Sequence, residues 1–334
     1  MRNMSALFLM LLAGYLCGCV SPQPQNTMIF GDYPQVEVMT YLTPDHHDTT
    51  ADIYAAIDKN LDSIDPVDGD VLGRLNNSEV GEVVPCGDVY DSISSLLAYT
   101  DECYGAYDPT LQILWDVYDF ENGGRYVSDY ELADALQWVG YNEVEIEENG
   151  ILRKGENVRF GFGPVITGAI VDWAVGNMTE SGIEDYAVSC GHCATIHGDV
   201  EGRRWDAFSL QQIQYPLDKL TDDAYQQPIG TIRLQPDEYI AAIDDDEKYF
   251  FAHGDQYHQV IDPIMGVPTR NVLMVVVVSD ESCLQASVFA YAVMVMGVER
   301  GLEFLDDTDG VEGLIYSEPG EVHVSGGLGD RFWR

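Results

Sequence analysis

Positive charge is what this sequence most lacks. Its 334 residues carry 16 Lys+Arg against 57 Asp+Glu, a formal net charge of -41 at pH 7. A surface this acidic repels nucleic-acid phosphates, so nucleic acid is excluded as a general partner, and anionic headgroups are repelled as well. A saline medium would screen the self-repulsion; a surface for cations or a basic partner is the alternative. Paired cysteines are also lacking. Of 7 Cys, Cys17 and Cys19 sit in the N-terminal segment, which leaves Cys86, Cys103, Cys190, Cys193 and Cys283. An odd number cannot form a fully paired intramolecular framework. Beyond the N-terminus no segment reads as a membrane helix, and no repeat or low-complexity block occurs. With 46% hydrophobic and 22% charged residues, the chain has the composition of a folded domain with a sizeable core.

The N-terminus is specific. Arg2 precedes an apolar run from Ala6 to Gly14, followed by Leu16-Cys17-Gly18-Cys19. The run is short for a membrane span, and Leu-x-Gly-Cys is the pattern of a bacterial lipoprotein signal. Residues 1–18 are therefore expected to be a signal peptide, Cys19 the lipidated residue, 19–27 a polar tether and 28–334 the folded domain. The alternative is an ordinary secretory signal. Either way the protein is expected to be exported, and with the anchor it would sit on the membrane at its periplasmic or extracytoplasmic face.

Periodicity gives helices and strands in alternation. Ile53, Ile57, Leu61 and Ile64 form a helical stripe, as do Val89, Ile93 and Leu96. Leu132, Ala135, Leu136 and Val139 form a third, with Gly140 as its stop. Val272 to Val278 is a continuous apolar run suited to a buried strand, and Ser279 or Asp280 is expected to cap a helix from Leu284 to Met296. The fold class expected is α+β: one compact domain of mixed sheets and helices.

Chemistry-bearing patterns are few. Cys190-Gly191-His192-Cys193 has redox spacing, but a strand enters it and an extended segment leaves it, so no helix lowers a thiol pKa. A local disulfide, two plain thiols, thiol exchange at Cys190 and Cys193, or zinc held by Cys190, His192, Cys193 and His197 remain the alternatives. Gly105-Ala106-Tyr107-Asp108-Pro109-Thr110 and Tyr257-His258-Gln259-Val260-Ile261-Asp262-Pro263-Ile264-Met265-Gly266 each place a carboxylate in an Asp-Pro turn. Gly161 to Gly168 is a glycine-rich approach to a helix, whose first N–H groups can hold a phosphate.

In order and spacing these segments resemble the FAD:protein FMN transferase family. Gly105 to Thr110 matches its G-A-F-D-P-T, with Trp115 following, and Tyr257 to Pro268 matches its Y-H-H-I-x-D-P-x-T-G-x-P. Phe30-Gly31-Asp32, Ser63, Arg74-Leu75-Asn76, Val127-Ser128, Gly140-Tyr141, Phe160 to Asp172, Ser189-Cys190-Gly191, Trp205 and the helix ending at Gly297 match further segments. The resemblance implies a flavin-transferase-like (T-fold-like) domain. It implies that FAD is bound as substrate, cleaved with Mg²⁺, and its FMN moved to a threonine of a membrane-associated redox protein. Ala106, Tyr107 and Asp108, with Val260, Asp262 and Gly266, carry over as flavin-contacting positions.

The departures lie at the expected metal and phosphate positions. The family's helix presents Asp and Thr four residues apart, where this chain has Ser287 and Tyr291. The Asp and Lys of the glycine-rich segment are Gly161 and Thr167, and Pro164 stands where a backbone carbonyl reaches the metal. The second His is Gln259, the Thr of the turn is Met265, and a Tyr is Asp65. Asp172 or Asp262 would be the substitute ligand in a working transferase. The alternative is a non-catalytic flavin-binding or interaction lipoprotein that has lost the metal site.

Overall fold

The computed structural model describes residues 25–29, 36–42, 50–198, 207–214 and 225–334. The signal peptide, Cys19 and most of the tether lie outside the described residues, as do Phe30-Gly31-Asp32 and Trp205. The first strand, Gln25–Ile29, begins inside the range expected for the tether.

Eight strands lie side by side in chain order: Gln25–Ile29, Val36–Leu42, Tyr186–Cys190, Cys193–His197, Tyr239–Asp244, Val272–Ser279, Val311–Ser317 and Glu321–Val324. Every neighbouring pair is antiparallel. Among the described residues, six helices are inserted between the second and third strands: α1 (Thr50–Ile64), α2 (Leu72–Asn77), α3 (Tyr90–Glu102), α4 (Gln112–Tyr118), α5 (Asp129–Leu136) and α6 (Ile166–Glu180). Two more, α7 (Cys283–Met296) and α8 (Val298–Asp307), lie between Val272–Ser279 and Val311–Ser317.

Val272–Ser279 explains its own sequence. Val275 and Val277 join the core under the helices, while Met274, Val276 and Val278 join a second cluster with Phe208, Leu210 and Ile232. That second cluster belongs to a three-stranded sheet of Ala207–Gln214, Tyr225–Arg233 and Phe332–Trp333 on the other face. A strand covered on both faces gains from apolar side chains at every position, hence an unbroken run instead of alternation.

α7 is buried from Cys283 through Met294, packed by α3, α6, α8 and the strands Tyr239–Asp244 and Val272–Ser279. A helix hydrophobic all round can be stable only at the centre of a core. Gly297, with φ 78°, ends it where the sequence places the stop.

Two expected boundaries differ. The cap of α7 is Ser282, whose Oγ accepts the Gln285 N–H at 3.0 Å. Ser279 closes the strand, its hydroxyl donating to Gln285 Oε1 at 2.5 Å, and the Asp280 N–H goes to the Gly310 carbonyl. α5 opens with a Ser128–Glu131 capping box but ends at Leu136, short of Gly140. The reason is tertiary: the N–H groups of Gly140 and Tyr141 are taken by Thr110 and Asp108.

Phe289 of α7 is fully buried and meets Tyr99 and Phe304 edge-on. Phe289→Ala is expected to lower stability by about 3–5 kcal/mol in denaturant unfolding.

Candidate functional site

The first Asp-Pro turn is closed by its own carboxylate. Asp108 Oδ1 accepts the Thr110 N–H at 2.8 Å and the Thr110 hydroxyl at 2.6 Å, and Oδ2 accepts the Tyr141 N–H at 2.9 Å. Thr110 in turn accepts the Gly140 N–H at 2.7 Å. Asp108 is therefore buried with both oxygens engaged, tying the turn to the segment after α5. Ala106 stays partly exposed beside it, while Tyr107 is buried and donates to the Phe162 carbonyl at 2.9 Å.

The glycine-rich segment is pinned from two sides. The Asn76 side chain accepts the Phe160 N–H at 2.7 Å and donates to the carbonyls of Phe160 and Pro66. At Gly163, with φ 53°, an added Cβ would lie 2.1 Å from the Trp115 ring, so no larger residue fits. The segment then enters α6 through a turn at Gly163–Val165, and no side chain caps the helix start.

The second Asp-Pro turn hangs from three aromatic side chains. Trp115 donates to the Gln259 carbonyl at 2.9 Å, and Tyr118 to the Gly266 carbonyl at 3.0 Å. The Tyr291 hydroxyl accepts the Ile261 N–H at 2.7 Å and donates to the Ile261 carbonyl at 2.9 Å. Asp262 Oδ1 accepts the N–H groups of Ile264 and Met265, and Gly266 turns back with φ 69°. Val260 is a core side chain whose carbonyl receives the Thr269 N–H. Tyr291 also packs edge-on against Tyr107, with ring centroids 5.2 Å apart. One residue of α7 thus touches both Asp-Pro segments.

The cysteine motif forms a hairpin end, with Cys190 and Cys193 paired across the strands. All five described cysteines are buried free thiols, so the local disulfide expected as one alternative is absent. The zinc alternative fails as well. His192 pairs with Asp244, His197 pairs with Asp237, and Cys193 turns to Thr167 and Ser287, with both oxygens 3.2 Å from its Sγ. Burial holds the Cys190 thiol well above its usual range while hydrogen bonds from Cys283, Ser287 and Thr167 lower Cys193, but both thiols are shut away from solvent, which denies an exchange partner access.

A sequence profile of the ApbE family matches residues 32–315. This chain belongs to the ApbE family. It is 29% identical to the FAD:protein FMN transferase of Vibrio cholerae over 203 residues, 59% of this chain and 58% of that protein. To the enzyme of that name from Rhodobacter capsulatus it is 28% identical over 142 residues, 42% of this chain and 25% of that protein. The aligned stretch is thus under two thirds of either relative. Among solved structures, the ApbE protein of Thermotoga maritima superposes with a TM-score of 0.78 at 22% identity, covering 93% of this chain and 100% of that one. The flavinyl transferase ApbE of Pseudomonas stutzeri gives 0.75 at 20%, covering 93% and 97%. These place the ApbE fold on the whole described domain.

In this ApbE chain the expected cation positions do not fit Mg²⁺. Ser287 is fully buried and donates to the Cys283 carbonyl at 2.9 Å, and Tyr291 is committed to Ile261. Asp172, a candidate substitute, accepts the N–H groups of Cys283 and Leu284 at 2.8 and 2.9 Å, so it serves the start of α7. Burial lifts Asp172 to about 7 against those donors. Among the described residues no group of three or more His, Cys, Asp or Glu could hold a metal ion.

Beside the hairpin end, burial and the charge of Asp244 lift Asp245 to about 7 and Asp246 to about 8. Burial opposes the charge on His192, but Asp244 at 3.2 Å outweighs it and raises the imidazole to about 10. Sequence reasoning took the motifs as ligand positions and missed the braces. The one sequence signal was the Tyr291 hydroxyl, on a helix whose other polar side chains are Gln285 and Ser287.

Tyr291→Phe strands both the N–H and the carbonyl of Ile261 in the core. It is expected to lower stability by about 1–3 kcal/mol, and hydrogen exchange at the Ile261 amide should accelerate. His258 gives a pH prediction. Its Nε2 lies 3.0 Å from the Thr269 carbonyl, so Nε2 carries the proton, and the buried Nδ1 has no partner. Burial lowers His258 from 6.5 to about 4. The unfolded chain therefore binds the extra proton first, and stability falls as pH drops through that window. In denaturant titrations from pH 7 to 4, wild type should lose up to about 3 kcal/mol more than His258→Gln. Parallel curves would refute the assignment.

Proposed function

We propose that this chain is an FAD:protein FMN transferase, held by a lipid at Cys19 on the extracytoplasmic face of a membrane. Its acceptor is a threonine of a membrane-associated redox protein. Membership of the ApbE family supports the activity, and the N-terminal Leu16-Cys17-Gly18-Cys19 pattern supports the anchor. The observation that carries the reading is the joint suspension of both Asp-Pro turns on α7, through Tyr107, Tyr291 and Ile261. Two loops shaped by internal hydrogen bonds present a fixed surface to a ligand, which lowers the ordering cost of binding.

The reaction is phosphoryl transfer. The threonine oxygen attacks the phosphorus of the FMN half of FAD, the pyrophosphate P–O bond breaks, AMP leaves, and the hydroxyl proton is released. The protein's part in such chemistry is positioning and charge stabilisation. Ala106 and Tyr107, with the turn closed by Asp108, would border the flavin. Val260, Asp262 and Gly266 would set the opposing turn. The uncapped start of α6 is electrostatically suited to a phosphate. A divalent cation in this chemistry bridges and neutralises the pyrophosphate; the donors at Ser287 and Tyr291 do not suit one.

That mismatch favours one second reading, a flavin-binding lipoprotein of the same fold without transfer chemistry. The test is to incubate the full chain in detergent with FAD, Mg²⁺ and an acceptor domain bearing a target threonine, then weigh the acceptor intact. A gain of one FMN is expected. No gain, with an established transferase succeeding alongside, would overturn the proposal in favour of the second reading.

A further inference from the structure

The α7 face bearing Ser287 and Tyr291 is filled from both ends. Thr167 of α6 and Ser287 of α7 converge on the Sγ of Cys193, each oxygen at 3.2 Å. The Cys283 thiol reaches the Ile240 carbonyl at 3.6 Å, beside Ala241, the cross-strand partner of Cys193. Gly168 closes the cluster from behind: a Cβ there would lie 2.4 Å from Ser287 Oγ and 2.6 Å from the Cys283 carbonyl. One turn along, Tyr291 fills the space up to Ile261. Ser287, Tyr291 and Cys283 have no exposed surface, and Cys193 has almost none.

Such a donor set rejects a hard cation. Mg²⁺ wants near-octahedral oxygen, with carboxylates in the first shell at about 2.0–2.1 Å. Here the oxygens are neutral hydroxyls already hydrogen-bonded, and the group at the centre is a sulfur, which suits soft metals. The nearby carboxylates are spent on backbone: Asp108 on Thr110 and Tyr141, Asp172 on the first turn of α7, and Asp262 on Ile264 and Met265.

We infer that this chain handles flavin nucleotides without a divalent cation on α7. Of the two positions that would hold one, Ser287 is closed into a cluster with Thr167, Cys193 and Cys283 that clamps the Cys190–Cys193 hairpin end to α6 and α7, and Tyr291 is committed to Ile261. The flavin part rests on the proposed function; the cation part stands without it.

Two arms separate these. In the first, the thermal midpoint of the flavin-free full chain is followed against MgCl₂ in a high-NaCl background, for wild type, Ser287→Ala and Tyr291→Phe. The magnesium-dependent increment is expected to be the same in all three, as generic screening of an acidic surface would give. A saturable increment in wild type that either variant abolishes would overturn the inference. In the second, FAD is titrated by fluorescence quenching with Mg²⁺ or with a chelator. Affinities should agree within about twofold, whereas about tenfold tightening by Mg²⁺ that Ser287→Ala removes would overturn it. If FAD does not bind under either condition, the transferase reading falls, while identical increments in the first arm still uphold the cation-free cluster.

Discussion

α7 is enclosed on every side, and much of the architecture follows from making that tolerable. A buried helix leaves its first amide groups without partners, and each must be answered from elsewhere in the chain. Asp172 reaches across from α6 to take the amides of Cys283 and Leu284, and Ser282 takes that of Gln285. The polar side chains the helix carries must also be satisfied at full burial. Ser287 finds its own Cys283 carbonyl and the Cys193 sulfur, and Tyr291 finds both backbone groups of Ile261. Helix, hairpin end and second Asp-Pro turn are thus set in place together, and the site's shape is a by-product of core satisfaction.

The scarcity of positive charge sharpens this. The described basic residues are largely committed at the periphery: Lys59 to Asp88, Arg125 to Glu131, Lys248 to Glu121 and Arg331 to Glu238. The exposed pairs among these, Lys59–Asp88 and Arg125–Glu131, contribute little stability, whereas Arg331–Glu238 is largely buried. Arg153 turns inward to the carbonyls of Ser78, Gly155 and Glu156. Near the hairpin end His192 compensates Asp244, while burial and the charge of Asp244 raise Asp245 and Asp246.

Periodicity made much of the scaffold legible. The stripe from Ile53 to Ile64 is a helix, Val272 to Val278 is a strand sealed on both faces, and Gly297 ends α7. These are local signals in which pattern and burial agree. The errors occurred where tertiary or strand contacts outweighed the local pattern. α5 stops early because Thr110 and Asp108, far back in the chain, claim the amides of Gly140 and Tyr141. Ser282 displaces Ser279 as cap because Ser279 is still in the strand, bound to Gln285. The candidate site was legible as two turns with Asp-Pro chemistry. The braces of the second turn, Trp115, Tyr118 and Tyr291, lie 144, 148 and 30 residues from the groups they hold, so no spacing rule reveals them.

Where a metal-ligand pattern was expected, Ser287 and Tyr291 instead serve as braces within the core. A threonine at the Tyr291 position would be too short both to carry a ring against Tyr107 and to reach the peptide of Ile261. The tyrosine does both, and its hydroxyl is satisfied at 2.7 and 2.9 Å by groups that a smaller residue would leave to a ligand or water. The turn from Gln259 to Gly266 consequently holds its shape through contacts within the chain. A site organised in advance spends less of its binding energy on ordering loops. In the proposed transferase, rigidity at the two turns would compensate for the scarcity of charge at the pyrophosphate end.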